Sequence, residues 1–557
     1  MNERNICKNC GCTLPLNNFE ICDDNTKENI IRALFYKMKI SDENFDNYIK
    51  CISDIKLSCI KDDLHSQFKE IQEFFNFYYT YNSYLKENNL VDYDDMLCYA
   101  VQILEENPDI RNYYQNLCQY VIEDEAQDST DIQQKLITLL IGKNNNLVRC
   151  GDINQAITST FTNSNPASFR NYIKQNKKVE MISSQRCSKP VYTLANNFLK
   201  EALKISNAFY DIQMQGTDKN PQTDKNPKYC IFKNEEEEKN YIINTIKEIK
   251  SENPKASIAI LLRLNSQVNE YNELFLSNEI KTDIRSDSPS QKSIYKIIFA
   301  LLKIVNSPLN NSNIFDFALL CRQKGIYKLK QSDLEYIKTL KSPFIYENSD
   351  NMNSQELLQM YFDIDYHLNN SSVSPDIFAL NTGLYYARNI SDKSNAYMIS
   401  TLIKRIKSNS SSLEDLISKL EYASQKNSGT YKFFDDFDEE ENAVKIMTMH
   451  KSKGDEFDFV FIPELNENNY STQINSVKIK ADTHFLQSVK VQAQKIERKS
   501  QEELKQEQVN ETLRLLYVGI TRAKNTLYLS NAENYKRRKN TKPLLHFSCF
   551  KNLNIPD

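Results

Sequence analysis

The stretch from Tyr120 to Gln155 constrains the fold of this chain more than any other. It reads YVIEDEAQDSTDIQQKLITLLIGKNNNLVRCGDINQ, two apolar runs that each close on acidic and amide residues. Tyr120, Val121 and Ile122 are strand-like. The chain then breaks into Glu123, Asp124, Glu125, Ala126, Gln127 and Asp128, a carboxylate cluster where a buried parallel strand would end. Open α/β sheets gather their chemistry at such strand ends. A helix is expected next, with Ser129 or Thr130 as its cap and Ile132, Leu136, Leu139 and Leu140 on one face. Leu147 and Val148 give a second short strand that ends in Gly151, Asp152 and Gln155. Adjacent carboxylates at a strand end suit a divalent metal and a base that orients a water, the needs of nucleotide hydrolysis. The alternative is a plain acidic loop, which only further motifs in the right order displace.

Those motifs are present. Asp124-Glu125-Ala126-Gln127-Asp128 resembles the Walker B motif of superfamily 1 DNA helicases of the UvrD/Rep type, and Gly151-Asp152-Ile153-Asn154-Gln155-Ala156-Ile157 resembles the motif that follows it. Ser183-Ser184-Gln185-Arg186-Cys187-Ser188 is similar to the family's N-Y-R-S motif, with Arg186 at the arginine that reaches the γ-phosphate. Gln185 replaces the tyrosine that usually packs on adenine. Val444 to Phe457, VKIMTMHKSKGDEF, resembles helicase motif V, with Asp455 where leucine is common, and it contains Thr448, His450, Lys451 and Glu456. Leu513 to Lys524, LRLLYVGITRAK, resembles motif VI, whose arginine, here Arg522, completes the nucleotide site. The resemblance runs from about Phe19 to about Ser530.

It implies an α/β fold of two RecA-like P-loop NTPase domains, the first one incomplete, with helical 1B and 2B insertions. On that reading residues 1–18 are an N-terminal remnant, 19–116 the 1B-like insertion and 117–215 a partial domain 1A. A polar linker covers 216–228, domain 2A covers 229–294 and 437–535 around a 2B-like insertion at 295–436, and 536–557 form a tail. The implied activity is ATP-dependent DNA unwinding with 3′-to-5′ movement on single-stranded DNA. ATP and Mg²⁺ are the implied cofactors, and single-stranded and duplex DNA the partners. Asp124 would hold the metal, Glu125 polarise the attacking water and Gln155 sense the γ-phosphate, while Arg186 and Arg522 meet its developing charge. Glu456 joins the nucleotide contacts. Phe161, Thr448, His450 and Lys451 are the DNA-contact candidates, and His450 has a positioning role rather than a catalytic one.

One part is missing. The family's phosphate loop, G-x-x-x-x-G-K-[ST], binds phosphates through backbone amides, a lysine and a hydroxyl. The chain has nine glycines and none fits: only Gly142 precedes a lysine, Lys143, and Asn144 follows where Ser or Thr is required. A truncated or split enzyme is therefore expected, with a separate N-terminal polypeptide as one source of the loop. A catalytically inactive DNA-binding or regulatory subunit is the alternative.

The rest of the chain supplies cores. With 557 residues and 40% hydrophobic content, length suggests about three or four domains. Thirteen cysteines fit reduced thiols in a cytoplasm, and the absence of any run of ~18 apolar residues argues against a membrane span. Cys7, Cys10, Cys12 and Cys22 form only one good metal knuckle with no nearby histidine, so loop and helix cysteines are expected. Ile30, Ile31, Leu34 and Phe35 form one helical stripe. Phe74, Phe75, Phe77, Tyr78, Tyr81 and Leu85 form an aromatic one, expected in a core. Asp92-Tyr93-Asp94-Asp95-Met96-Leu97 resembles the family's D-F-D-D-L-L signature shortly before Walker B, with acidic capping of the next helix as the alternative. Thr158 to Phe169 reads as a polar loop. The repeat Thr-Asp-Lys-Asn-Pro at Thr217 and Thr223 reads as a surface insertion. Glu235 to Glu238 should open a helix, Ser257 to Arg263 form a buried strand, and the basic run Lys536 to Lys539 lie exposed.

Overall fold

The structure is a computed structural model, and it describes residues 19–553 apart from 59–63, 143–144, 158–163, 224, 285–292, 324, 340–353, 389, 408–409, 411, 426–442, 480 and 495. Phe161, Cys7, Cys10, Cys12, Lys143 and Asn144 thus lie outside the described residues. In chain order the strands are β1 (Glu20–Cys22), β2 (Leu90–Asp92), β3 (Val121–Glu123), β4 (Leu147–Arg149), β5 (Ser183–Ser184), β6 (Gln215–Gly216), β7 (Lys228–Asn234), β8 (Ile258–Leu262), β9 (Thr282–Ile284), β10 (Val444–Thr448), β11 (Phe457–Ile462) and β12 (Ala523–Asn534). The chain divides into two compact units, the first comprising Met1–Ile242, Leu261–Arg263 and Thr448–Asp557, the second Ile243–Ile260 and Leu264–Met447.

The first unit begins with helices Asp24–Met38, Phe45–Leu57 and Lys69–Glu87. Their stripes meet as expected: Ile31, Phe35, Phe74, Phe75, Phe77 and Tyr81 are fully enclosed, with Phe35 packed edge-on against Tyr48 and Phe77. Such aromatic contacts add about 0.5–1.5 kcal/mol each beyond the burial of area. The helix Ala481–Gln494 closes this core with Val489 and Ala493. Asp92 caps the helix Tyr93–Glu106 through a capping box with Asp95, as the acidic run implied.

β3 and β4 pair in parallel, Val121 opposite Leu147 and Glu123 opposite Arg149. The expected strand forms but is not buried. Ile122 is 75% exposed and Val148 55% exposed, because among the described residues β3 and β4 make a sheet of two strands, so their outward side chains meet solvent. The polar loop expected up to Phe169 stops earlier. Asn165 accepts from Ser168 N, Pro166 occupies the first turn, and the helix Pro166–Gln175 carries Phe169 into a small core.

Farther on, β7, β12 and β11 lie side by side, β12 running parallel to both neighbours. The segment read as a surface insertion is anchored: Asn220 is buried, and its Nδ2 donates to Cys187 O at 2.6 Å. The final residues also pack. Phe547 and Phe550 sit against Phe198, and Glu201 accepts from the N–H groups of Ser548 and Cys549. Arg537, Arg538 and Lys539 are exposed.

The second unit places β8, β10 and β9 side by side in that order, with Val444 opposite Thr282 and Ile446 opposite Ile284 in parallel register. All five residues of β8 are buried, as a parallel central strand requires. The remainder is helical, from Ser293–Asn306 to Leu413–Gln425, around one apolar core that includes Leu301, Phe317, Tyr361 and Leu420. No described helix is long and apolar enough to cross a membrane. The nine cysteines among the described residues are free thiols.

Candidate active site

The expected site residues that are described all belong to the first unit. At the end of β3, Glu123 turns inward and is held by Arg149 and Ser129. The first acid of the cluster is therefore structural. Asp124 and Glu125 point outward into solvent. Glu125 takes a left-handed backbone conformation, φ 51°, and its N–H donates to Asp124 Oδ1 at 2.9 Å. Gln127 is fully buried beneath them. Its amide donates to Glu125 Oε2 and accepts from Asp152 N at 2.9 Å, joining the two strand ends.

That junction explains Gly151. A Cβ there would stand 2.4 Å from Gln127 Oε1 and 2.9 Å from the Phe169 ring, so only glycine fits. Beyond it, Asp152 caps the short turn Ile153–Gln155 by accepting from Asn154 N at 2.9 Å. Asp152 Oδ2 accepts from Gln155 Nε2 at 2.8 Å. Burial raises the Asp152 carboxyl above its ordinary range, with the hydrogen bonds from Gln155 and Asn154 opposing it.

Arg522 reaches this turn. It lies in the tight turn between the helix Gln501–Ile520 and β12, at 1% exposure, rather than on an open helix face. Nε donates to Val518 O at 3.0 Å, Nη1 to Asp455 O at 3.1 Å and Nη2 to Gln155 Oε1 at 3.2 Å. Burial, then repulsion from Arg186, lowers its guanidinium to about 10, which leaves it charged at neutral pH.

Arg186 follows β5 and is drawn to the same place by its neighbours: Ser188 N donates to Lys524 O at 2.7 Å, and Ser188 Oγ to Asn525 O at 2.7 Å. Its Nε donates to Glu456 Oε2 at 3.0 Å, and Lys524 lies 3.9 Å from the other oxygen of Glu456. Glu456 stands on the loop after β10, where Gly454 takes φ 90°. Lys453 on that loop pairs with Asp128 and stands 3.9 Å from Glu125.

Gln127 and Asp152 thus link Asp124 and Glu125 to Gln155 and Arg522 by short contacts, Arg186 pairs with Glu456 next to Asp455, whose carbonyl accepts from Arg522, and Lys453 reaches Glu125 from the same loop. The sequence reading assigned no role to Gln127, Asp152 or Lys453. Their signals were present: a glutamine inside an acidic run, an aspartate three residues before Gln155, and a lysine beside the loop glycine. Thr448 and His450 stand apart. Thr448 is buried at the start of the turn Met449–Ser452, and His450 Nε2 lies 3.6 Å from Glu511 Oε1. Lys451 is half-buried on the same turn.

Exposed carboxylates of Asp124 and Glu125 are hard oxygen donors, a set that fits Mg²⁺ when substrate phosphates and water complete its shell. The site combines that pair with the Gln155 amide and the guanidinium groups of Arg186 and Arg522.

The chain is similar to known helicases. Residues 183–534 match the family model described as UvrD-like helicase C-terminal domain, and residues 12–177 match the UvrD/REP helicase N-terminal domain. Among curated relatives, a probable DNA helicase II homolog of Mycoplasma genitalium is 25% identical over 84% of this chain and 62% of its own length. The ATP-dependent DNA helicase PcrA of Staphylococcus epidermidis is 25% identical over 92% of this chain and 69% of its own. The ATP-dependent DNA helicase Rep of Buchnera aphidicola is 25% identical over 93% and 78%. The chain therefore spans 62% to 78% of the length of these relatives.

Proposed function

Because this chain belongs to the UvrD-like helicase family, we propose that it works as an ATP-dependent DNA helicase of the UvrD/Rep type. It would move 3′ to 5′ on single-stranded DNA and couple that movement to ATP hydrolysis. What carries the reading is the hydrogen bond from Arg522 to Gln155, made within one unit beside the Asp124–Glu125 pair.

In that reading residues 117–215 form a partial RecA-like domain 1A, and 229–294 with 437–535 form domain 2A. The helical segments 19–116 and 295–436 are the 1B-like and 2B-like insertions, 216–228 a linker, 1–18 a remnant and 536–557 a tail. Asp124 would hold Mg²⁺, which when bound shields phosphate charge and orients the γ-phosphoryl group. Glu125, exposed and hydrogen-bonded by Gln127, would orient and polarise the attacking water. Gln155 reads the γ-phosphate and reports it to Arg522. Arg186 and Arg522 supply positive charge where negative charge develops. Glu456 holds Arg186 in the resting site and exchanges it for nucleotide contacts. Thr448, His450 and Lys451, and Phe161 farther off, would follow the DNA backbone.

The phosphate loop has to come from outside these 557 residues, since none of the nine glycines supplies it. A preceding segment or a separate polypeptide could bring it, and the exposed side chains of β3 and β4 offer that addition an apolar surface. By itself the 557-residue chain should hydrolyse ATP slowly or not at all. The test is phosphate release by the purified chain with and without single-stranded DNA, before and after adding a polypeptide with the missing loop. Turnover that appears only with the added loop supports the reading. Robust turnover by the chain alone refutes the need for an added loop, and DNA binding with no turnover in either case favours an inactive regulatory subunit.

A further inference from the structure

Arg514 lies eight residues before Arg522 on the helix Gln501–Ile520 and has no part in the chemistry above. It is 7% exposed. Its Nη2 donates to Ala208 O at 3.0 Å and its Nη1 to Ala156 O at 3.4 Å. Ala156 directly follows Gln155. Ala208 O also accepts from Arg170 Nη2, and two residues on, Tyr210 exchanges a pair of hydrogen bonds with Asn154, 2.8 Å at its N–H and 2.9 Å at its carbonyl. The Gln155 turn and the segment 207–210 are thus stitched together, and Arg514 grips both.

A buried guanidinium is costly unless carbonyls or carboxylates take its hydrogens. An apolar side chain at this point of the helix would fill the space without that cost. Arg522 follows two residues past the end of the same helix, and its single hydrogen bond to Gln155 sets a distance but not a direction. Arg514 lies about two turns before it, so a second anchor there fixes the orientation of the turn as well.

From this geometry we infer that Arg514 is a positioning residue for nucleotide hydrolysis, locking the Gln155 turn to the helix that leads into Arg522 so that sensor and arginine move as one body. The inference rests on the proposed ATPase reading. It depends on the fork of the guanidinium, which reaches two carbonyls at once, whereas an ammonium is a single point of charge.

The test uses the full chain with Arg514→Gln and Arg514→Lys, supplied with the phosphate-loop polypeptide for kinetics. Hydrogen exchange of the segments 152–157 and 206–211 is read first. Arg514→Gln should speed exchange in both by about tenfold or more and leave the helix Asp24–Met38 unchanged. In ATP turnover, kcat should fall by about 10- to 100-fold, the scale of an ~1 Å misplacement, while KM stays within about threefold. Arg514→Lys should recover the thermal midpoint but neither the exchange protection nor kcat. Unchanged exchange in Arg514→Gln, or full recovery of protection by Arg514→Lys, overturns the inference. Should Arg514→Gln fail to fold, Arg514→Lys alone decides by the same two readouts. If the unmodified chain never hydrolyses ATP, the enzymatic reading fails, and the exchange measurement still decides whether Arg514 holds the turn.

Discussion

Arg522 donates from Nη2 to Oε1 of Gln155 at 3.2 Å, joining residues 367 positions apart in the chain. The contact puts a buried group that is charged at neutral pH on the amide that follows the acidic strand end. Replacing Arg522 with Ala should lower DNA-stimulated phosphate release by on the order of 10³-fold in the loop-completed protein, the low end for an arginine that meets transferring phosphate. Arg522→Lys should recover little, since a point charge cannot serve Val518 O, Asp455 O and Gln155 together. A loss smaller than about tenfold in Arg522→Ala would remove it from the reaction.

Gly151 is pressed against Gln127 Oε1 and the Phe169 ring. Gly151→Ala should therefore cost about 1–3 kcal/mol, as overpacking does, and should release the Gln127 bridge between Glu125 and Asp152. Because the chain has no Trp, far-UV circular dichroism in urea is the suitable readout. An unchanged midpoint would mean that the strand ends are not as close as the contacts imply.

Asp92 sits between Lys56, at 2.8 Å, and Lys27, at 3.4 Å, and also accepts from the Tyr81 hydroxyl. Burial alone would raise its carboxyl, but Lys56 and then Lys27 outweigh burial and hold it well below the usual carboxylate range. Its stabilising effect is present above the unfolded carboxyl's pKa and is lost as pH falls through the folded value. Asp92→Asn should cost about 3–5 kcal/mol, the scale for breaking a buried pair from one side. A cost under about 1 kcal/mol in urea unfolding would contradict the geometry.

His367, in the second unit, is 3% exposed and enclosed by the rings of Phe378, Tyr385 and Tyr386. Burial lowers its imidazole to about 4, with only Asp363 pulling the other way. The unfolded chain takes up a proton near pH 6.5, so stability is full above that value and declines as pH falls toward 4. The change should reach up to about 3 kcal/mol. Unfolding followed between pH 7 and pH 4 should show this slope in the native chain and lose most of it in His367→Phe. The same slope in both would assign the effect to other groups.

Local patterns in the chain announced most of the elements. The aromatic spacing of Phe74 to Leu85 closed a core as a helical stripe must, and the acids at Asp92 and Asp95 capped the helix they preceded. Motif spacing also located the residues that gather at Gln155, because each sits beside a strand end or a glycine turn with its own sequence signature. Where the reading went astray, long-range contact decided. Tyr120 to Ile122 has the composition of a buried strand, yet exposure follows from how many strands lie alongside. Asn220 looks like loop composition, yet Cys187 O, 33 residues back, draws it inside.

By itself, then, the sequence determined the family and most of the helices and strands, since periodicity, caps and short motifs act over a few residues. Only the tertiary structure decided that Glu123 is structural while Asp124 and Glu125 face outward, that Gln127 and Lys453 join them, and that Arg514 stands behind Arg522. Those assignments depend on partners dozens to hundreds of positions away, and a hydrogen bond of about 3 Å leaves no trace in the spacing of the residues that make it.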